Sequence, residues 1–380
     1  MTIRIPLSSP DITEAEIAAV TSVLRTPCLS IGPELTAFEA ALAEYHGVSH
    51  AVAVSSGTAG LHLALLTLGI GPGDEVIVPS FAFIAVANAV VQVGATPVFA
   101  DIDPISLNLD AVRVEEAVNA CTRAILVVHT FGVPAQMDAL QSIAKRHGLL
   151  ILEDACEAIG GEFDGRRAGG FGDLAVLGFY PNKQLTTGEG GAVLVKNSSH
   201  AARLRSLRNQ GRRAPIEHKD RSKGGDWFDH QEAGYNYRLS ELACALGRVQ
   251  LGRLAEMLDL RRAAAERYHA LLENVPGLER PPLALPQRTI SWFVYVIRIC
   301  GGIDRDQVQS ALLARGIATG RYFAPIHLQP AWRSHGSSAA HLPVTESIAA
   351  RTLALPFFNR ISPNEQLQVA SALRETLLLA

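Results

Sequence analysis

Seven short apolar runs recur along the first half of the chain with helical stretches between many of them, and this alternation restricts the possible folds more than any other feature. The runs are residues 51–54, 75–79, 97–101, 124–129, 149–153, 174–179 and 191–195. Most are apolar at odd and even positions alike, the pattern of strands covered on both faces. Residues 59–68, 83–93, 110–120 and 137–147 read as helices, the last followed by Gly148, which suits the left-handed turn that closes a helix. Strands alternating with helices build βαβ units on a mainly parallel sheet. In such sheets ligands bind at the carboxyl ends of the strands.

The remainder has a different rhythm. Residues 238–272 read as one long helical stretch leading out of a first domain, followed by a proline-rich segment at 275–286. A strand at 293–299, a helix at 305–315 and a C-terminal helix at 363–378 complete the chain. For 380 residues the expectation is a large domain over 1–250, which includes the N-terminal segment, and a smaller C-terminal α/β domain over 251–380 that closes over a substrate.

Residues 76–100 carry no charge, which raises the question of a membrane span. Pro79, Ser80, Asn88, Gln92, Gly94, Thr96 and Pro97 interrupt them, so the stretch reads as buried strand, helix and strand in a protein with no membrane partner. A balance of 34 Lys+Arg against 37 Asp+Glu lacks the basic excess of a nucleic-acid binder. An apolar content of 48% excludes disorder. The N-terminus shows no apolar signal segment. Cys28, Cys121, Cys156, Cys244 and Cys300 are odd in number and never in a C-x-x-C pair. Reduced thiols in a cytoplasmic enzyme without a metal site are therefore expected.

One local excess of charge stands out. Residues 200–223 hold Arg203, Arg205, Arg208, Arg212, Arg213, Lys219, Arg221 and Lys223 against Glu217 and Asp220. They form either a solvated helix face running into a loop or an electropositive rim for a phosphate-bearing substrate.

Three segments carry chemistry. Ser55-Ser-Gly-Thr-Ala59 follows a strand and opens a helix, where free N–H groups and the helix dipole favour an anion such as phosphate. Ser56 and Thr58 add hydroxyls, and Gly57 permits close backbone approach; an ordinary Ser/Thr helix cap is the plainer reading. Neither the dinucleotide nor the P-loop glycine fingerprint is present. Asp154 ends a buried apolar run, where a carboxylate needs a positive partner such as a protonated pyridine nitrogen, an arginine or a helix N-terminus. Lys183 ends an uncharged stretch that begins after Asp173 and precedes the turn Thr186-Thr-Gly-Glu-Gly-Gly191. A desolvated lysine has a lowered pKa and can form a Schiff base.

A phosphate cup, a strand-end Asp and a Lys, in that order on a parallel sheet, are the parts needed to hold pyridoxal 5′-phosphate (PLP). The sequence resembles the DegT/DnrJ/EryC1/StrS family of PLP-dependent sugar aminotransferases, of fold type I. The resemblance runs over nearly the whole chain. It is carried by Ser55-Ser-Gly-Thr-Ala59, Pro79-Ser-Phe-Ala-Phe-Ile84, Val128-His-Thr-Phe-Gly132, Glu153-Asp-Ala155, the Lys183 segment, Gly234-Tyr-Asn-Tyr-Arg238 and Leu355-Pro356.

The resemblance implies a large domain with a mainly parallel seven-stranded sheet. Lys183 would bind the cofactor aldehyde and shuttle a proton, and Asp154 would pair with the ring nitrogen. Phe83 matches the aromatic ring that stacks on the cofactor; as a bare residue it reads as a core Phe on a buried helix. Ser56, Gly57 and Thr58 would meet the phosphate. Asn236 matches the Asn that reaches the cofactor phosphate of the neighbouring subunit, which implies a homodimer with shared active sites. His129 matches a His beneath the cofactor. His327, Tyr322 and Arg212 are candidate substrate contacts.

Two departures mark this chain. Many relatives carry a Ser five residues before the lysine, and here that position is Gly178. Where relatives have Gln or His near the cofactor's phenolic oxygen, this chain has Glu157, which either shares a proton with that oxygen or points towards substrate.

The function implied is transfer of an amino group from L-glutamate to a nucleotide-linked keto-sugar by a ping-pong cycle, in amino-sugar and polysaccharide biosynthesis. The Thr186–Gly191 turn resembles members that aminate C4 of a 4-keto-6-deoxyhexose. A cyclitol ketone as acceptor, a nicotinamide-dependent sugar oxidoreductase and a non-catalytic PLP-fold sensor are the alternatives.

Overall fold

The computed structural model describes residues 3–212, 229–333 and 341–379. All seven apolar runs enter one sheet. They are β1 (His50–Val54), β2 (Glu75–Pro79), β3 (Thr96–Ala100), β4 (Thr122–Val128), β5 (Leu150–Asp154), β6 (Leu174–Gly178) and β7 (Gly191–Val195), in the order β1-β7-β6-β5-β4-β2-β3. Only β7 runs against the others, between β1 and β6. The carboxyl ends of the parallel strands therefore share one edge.

Alternate residues serve two cores. Val52, Val76, Leu126 and Val176 pack on one face, and Ala53, Ile77, Val127 and Leu177 on the other. The helices that cover these faces are α1 (Glu14–Leu24), α2 (Pro33–His46), α3 (Gly57–Thr67), α4 (Ala85–Gln92), α5 (Ala111–Ala117), α6 (Met137–His147), α7 (Ser198–Leu207) and α8 (Glu241–Gly252). Helix α3 is buried almost all round and lies tight on the sheet. A Cβ at Gly60 would stand 2.7 Å from Val176 Cγ1, so glycine is required there by space.

The C-terminal part starts with α9 (Leu254–Leu271). Strand β8 (Tyr295–Ile299) lies between the short Leu278–Glu279 segment and β9 (Thr352–Leu355), antiparallel to both. Helices α10 (Arg305–Ala314), α11 (Pro343–Arg351) and α12 (Pro363–Leu379) accompany it. Its core includes Tyr268, Tyr295, Leu312, Leu353 and Leu373, joined by Ile5 from the other end of the chain. An aromatic seam of Phe81, Phe131, Phe293, Tyr322 and Phe323 links this part to the large sheet. Asp101 at the end of β3 strengthens the link by accepting from the N–H groups of Val344 and Thr345.

The sequence reading needs three local corrections. Residues 238–272 are two helices, because the chain breaks at Arg253 (φ −100°, ψ 2°), whose guanidinium reaches Glu16 and Asp11. Helix α4 begins at Ala85, so Phe83 lies in the link after β2 and is 62% exposed rather than part of a buried helix. In the basic stretch, Arg205 and Arg208 turn inward to Glu39 and to the carbonyls of Ala51 and Ala53. Arg203 bonds Leu66 O and Glu232, and Arg213, Lys219, Arg221 and Lys223 lie outside the described residues. No described helix is long and apolar enough to cross a membrane.

His46, the last residue of α2, makes the fold acid-sensitive. It is buried, its Nδ1 lies 3.2 Å from Ala168 O, and its Nε2 has no partner among the described residues. Burial lowers its pKa to about 4. The unfolded chain binds this proton near pH ~6.5, so stability is complete above that pH and falls as the pH drops towards the folded value. Between about pH 7 and about pH 5 the wild type should lose roughly 2 kcal/mol more than His46→Asn, measured by urea denaturation at each pH. Equal losses in both proteins would remove His46 from this account.

Candidate active site

The carboxyl edge of the sheet gathers the three chemical segments. At the end of β1, Ser56 caps α3 and its Oγ accepts from Ala59 N at 3.0 Å. The first N–H groups of a helix have no partner within it, which leaves those of Gly57 and Thr58 available to an anion. Gly57 is glycine for a steric reason: a Cβ there would meet Cys156 Sγ at 2.9 Å. A Cβ on Gly191, at the start of β7, would meet Gly57 N at 2.8 Å, so the cup rests on the strand ends themselves.

Cys156 is the hub around which the other groups assemble. Asp154 ends β5, is 9% exposed, and accepts from Cys156 N through Oδ1 at 3.0 Å. Burial pushes the Cys156 thiol well above its usual pKa, helped by the Asp154 carboxylate and opposed by the Lys183 ammonium. A Cβ at Gly178 would stand 3.1 Å from the same Sγ, so the family's serine at that position would crowd the thiol.

Lys183 sits in the turn after β6, with its N–H on Tyr180 O at 2.9 Å. Its Nζ lies 3.4 Å from Glu157 Oε1 and 4.0 Å from the centre of the Phe293 ring. Glu157 Oε2 accepts from Phe131 N at 3.0 Å. Burial raises the Glu157 pKa, and Lys183 acts against that rise. Tyr322 stacks on Phe293 with rings nearly parallel, which brings it into this group.

Other expected residues stand apart from the lysine. His129 is fully buried: its Nε2 lies 2.9 Å from Glu153 Oε2, and its Nδ1 accepts from Ala135 N. With both ring nitrogens engaged it braces the end of β4. His327 is also buried, with Nδ1 2.6 Å from Ser80 Oγ and Nε2 3.4 Å from Glu346 Oε1, so it ties its loop to the end of β2. Asn236 is exposed on a segment held beside the cup, where Ser55 N donates to Tyr237 O. Arg212 is half-buried and bridges to His230. Sequence reasoning assigned no site role to Phe293, whose ring faces Lys183 Nζ, or to Phe131, whose N–H bonds Glu157.

An anion seat and a strand-end carboxylate that meet one thiol, with an amine on the adjoining Glu157, could hold the phosphate, ring nitrogen and aldehyde of PLP. The chain matches the DegT/DnrJ/EryC1/StrS aminotransferase family over residues 10–374. It belongs to that family. It is 41% identical over 360 residues to dTDP-3-amino-3,4,6-trideoxy-alpha-D-glucose transaminase of Streptomyces venezuelae, covering 94% of this chain and 91% of the relative. It is 37% identical to GDP-perosamine synthase of Caulobacter vibrioides over 99% of each chain. The PLP form of Spr1654 of Streptococcus pneumoniae, described as a sugar aminotransferase, superposes with a TM-score of 0.91 at 26% identity over 99% of each chain. This DegT/DnrJ/EryC1/StrS aminotransferase is thus a PLP-dependent transaminase of fold type I, which sets aside the oxidoreductase and sensor readings.

Proposed function

We propose that this aminotransferase moves the amino group of L-glutamate to the keto group of a nucleotide-linked sugar. The observation that carries the reading is that the α3 N-terminus and Asp154 both meet Cys156, with Lys183 set against the adjoining Glu157. The names of the relatives, a dTDP-sugar transaminase and a GDP-sugar synthase, support the substrate class.

PLP, when bound, supplies an aldehyde that takes up amino groups and a protonated ring that accepts electron density. Ser56, Gly57 and Thr58 hold its phosphate, and Asp154 keeps its ring nitrogen protonated. Lys183 Nζ takes the proton from the α-carbon of glutamate and later delivers one to the former carbonyl carbon of the sugar. Glu157 and the Phe293 face hold Nζ in place between these transfers. The donor leaves as its keto acid before the sugar binds, in a ping-pong order.

Phe83, exposed within the protomer, supplies the ring that stacks on the cofactor. Asn236 reaches the phosphate of a second copy, which makes the working form a homodimer. The chain divides into a cofactor-binding part over 1–250 and a smaller part over 251–380, with Tyr322 meeting substrate at the seam, and works in the cytoplasm. The reacting carbonyl is assigned to C4 from the Thr186–Gly191 turn. The 3-amino sugar in the S. venezuelae relative's name makes C3 the position to test against it.

The test is a panel of dTDP-, UDP-, GDP- and CMP-linked 3-keto and 4-keto sugars together with a cyclitol ketone, each with glutamate, read by mass of the aminated product. Amination of a 4-keto-6-deoxy member is the expected result. Amination of a 3-keto member alone overturns the C4 assignment, and amination only of a cyclitol ketone overturns the nucleotide-sugar reading.

A further inference from the structure

Arg261, on α9, is 2% exposed, and no carboxylate forms an ion pair with it among the described residues. Taking a guanidinium out of water without a counter-ion is costly, so the gain must lie in what it bonds. Its Nη1 donates to Trp292 O at 3.1 Å and Phe293 O at 2.9 Å, and its Nη2 to Lys183 O at 3.3 Å. Burial lowers its pKa to about 10, which leaves it charged at neutral pH.

Two of these carbonyls belong to Lys183 and to Phe293, whose ring faces the lysine Nζ. Phe293 N donates to Phe131 O, Phe131 N donates to Glu157 Oε2, and Glu157 Oε1 faces Lys183 Nζ. The path from the Lys183 main chain through Arg261, Phe293, Phe131 and Glu157 thus returns to the Lys183 side chain. Without Arg261 that circuit is open at the main chain.

We propose that Arg261 is a positioning residue for transamination: its buried guanidinium sets the main chain of Lys183 against the Phe293 ring and the Glu157 carboxylate. The inference rests on Lys183 being the reactive amine. Displacement of a reacting group by about 1 Å can cost about 100-fold in rate without changing substrate affinity.

The test uses Arg261→Met and Arg261→Lys, with Lys183→Ala as reference. Arg261→Met should lower kcat by about 100-fold while KM for both substrates stays within about three-fold. Uptake of PLP by the cofactor-free protein, followed by visible absorbance, should slow by at least about ten-fold with saturation still reached. Arg261→Lys should fall between, by roughly ten-fold in kcat, because an ammonium keeps the charge and loses the planar fork. Thermal unfolding identifies a variant that fails to fold, and Arg261→Lys decides if Arg261→Met does. A folded variant with kcat and uptake within about two-fold of wild type, or with its loss confined to KM, overturns the inference. Full turnover in Lys183→Ala would instead overturn the site reading, and this inference with it.

Discussion

Lys183→Ala should lower kcat by about four orders of magnitude or more, the scale of removing both a covalent nucleophile and a general acid–base group. Its folding should change little. The side chain is 15% exposed, and its Nζ meets one carboxylate and one ring face. Loss of the ammonium leaves Glu157 buried without a cation, but burial already raises that carboxyl's pKa, so proton uptake relieves the isolated charge. The remaining bond to Phe131 N survives in either protonation state. Steady-state turnover together with borohydride fixation of colour measures the effect: the wild type should carry the label on Lys183, and the variant should carry none. A variant that retained turnover within ten-fold of wild type would remove Lys183 from the chemistry.

Glu153→Ala should have the largest effect on stability, on the order of 3–5 kcal/mol, because it strips several buried donors of their shared acceptor at about 1–3 kcal/mol each. The Glu153 carboxylate is fully buried and gathers four donors: His129 Nε2 and the N–H groups of Gly169, Phe171 and Gly172. Burial pushes its pKa up, but His129 and the backbone donors more than offset this, so the folded-state value is lowered. A lowered carboxyl pKa contributes stability above the unfolded value near ~4.3, and that contribution is lost as pH falls through the folded value. Alanine leaves the donors unpaired in a dry interior and frees the end of β4 beside Asp154, since His129 N also bonds Asp154 O. Chemical denaturation at neutral pH reads the cost, and a loss below about 1 kcal/mol would contradict this account. The cofactor should also bind more weakly, because Asp154 shares its strand with Glu153.

The legible parts of the molecule were those decided locally. Each sheet strand was visible because burial on both faces demands apolar residues at successive positions, as in Ile125, Leu126 and Val127. The chemistry was visible because Ser56, Asp154 and Lys183 each lie at or after a strand end, and parallel topology brings such ends to one edge. The break at Arg253 was not visible. The helical pattern continues through it, and the ion pairs that accompany it come from Asp11 and Glu16 at the far end of the chain.

Other residues changed meaning once their surroundings were known. His327 was a candidate substrate contact and is a buried tie between Ser80 and Glu346. Arg205 and Arg208 belonged to a basic cluster and are absorbed by Glu39 and two strand carbonyls. Phe83 could have been core, and is exposed.

The sequence by itself determined the order of strands and helices, the family, and the identity of the three groups suited to PLP. Each depends on hydrophobic period, capping or a local motif, forces that act over a few neighbouring residues. Only the tertiary structure decided which ring faces Lys183, which carbonyls Arg261 holds, and which charged side chains turn inward. Those outcomes depend on burial and on partners distant in the chain, because a charge or ring acquires its role only when folding removes water and supplies a neighbour.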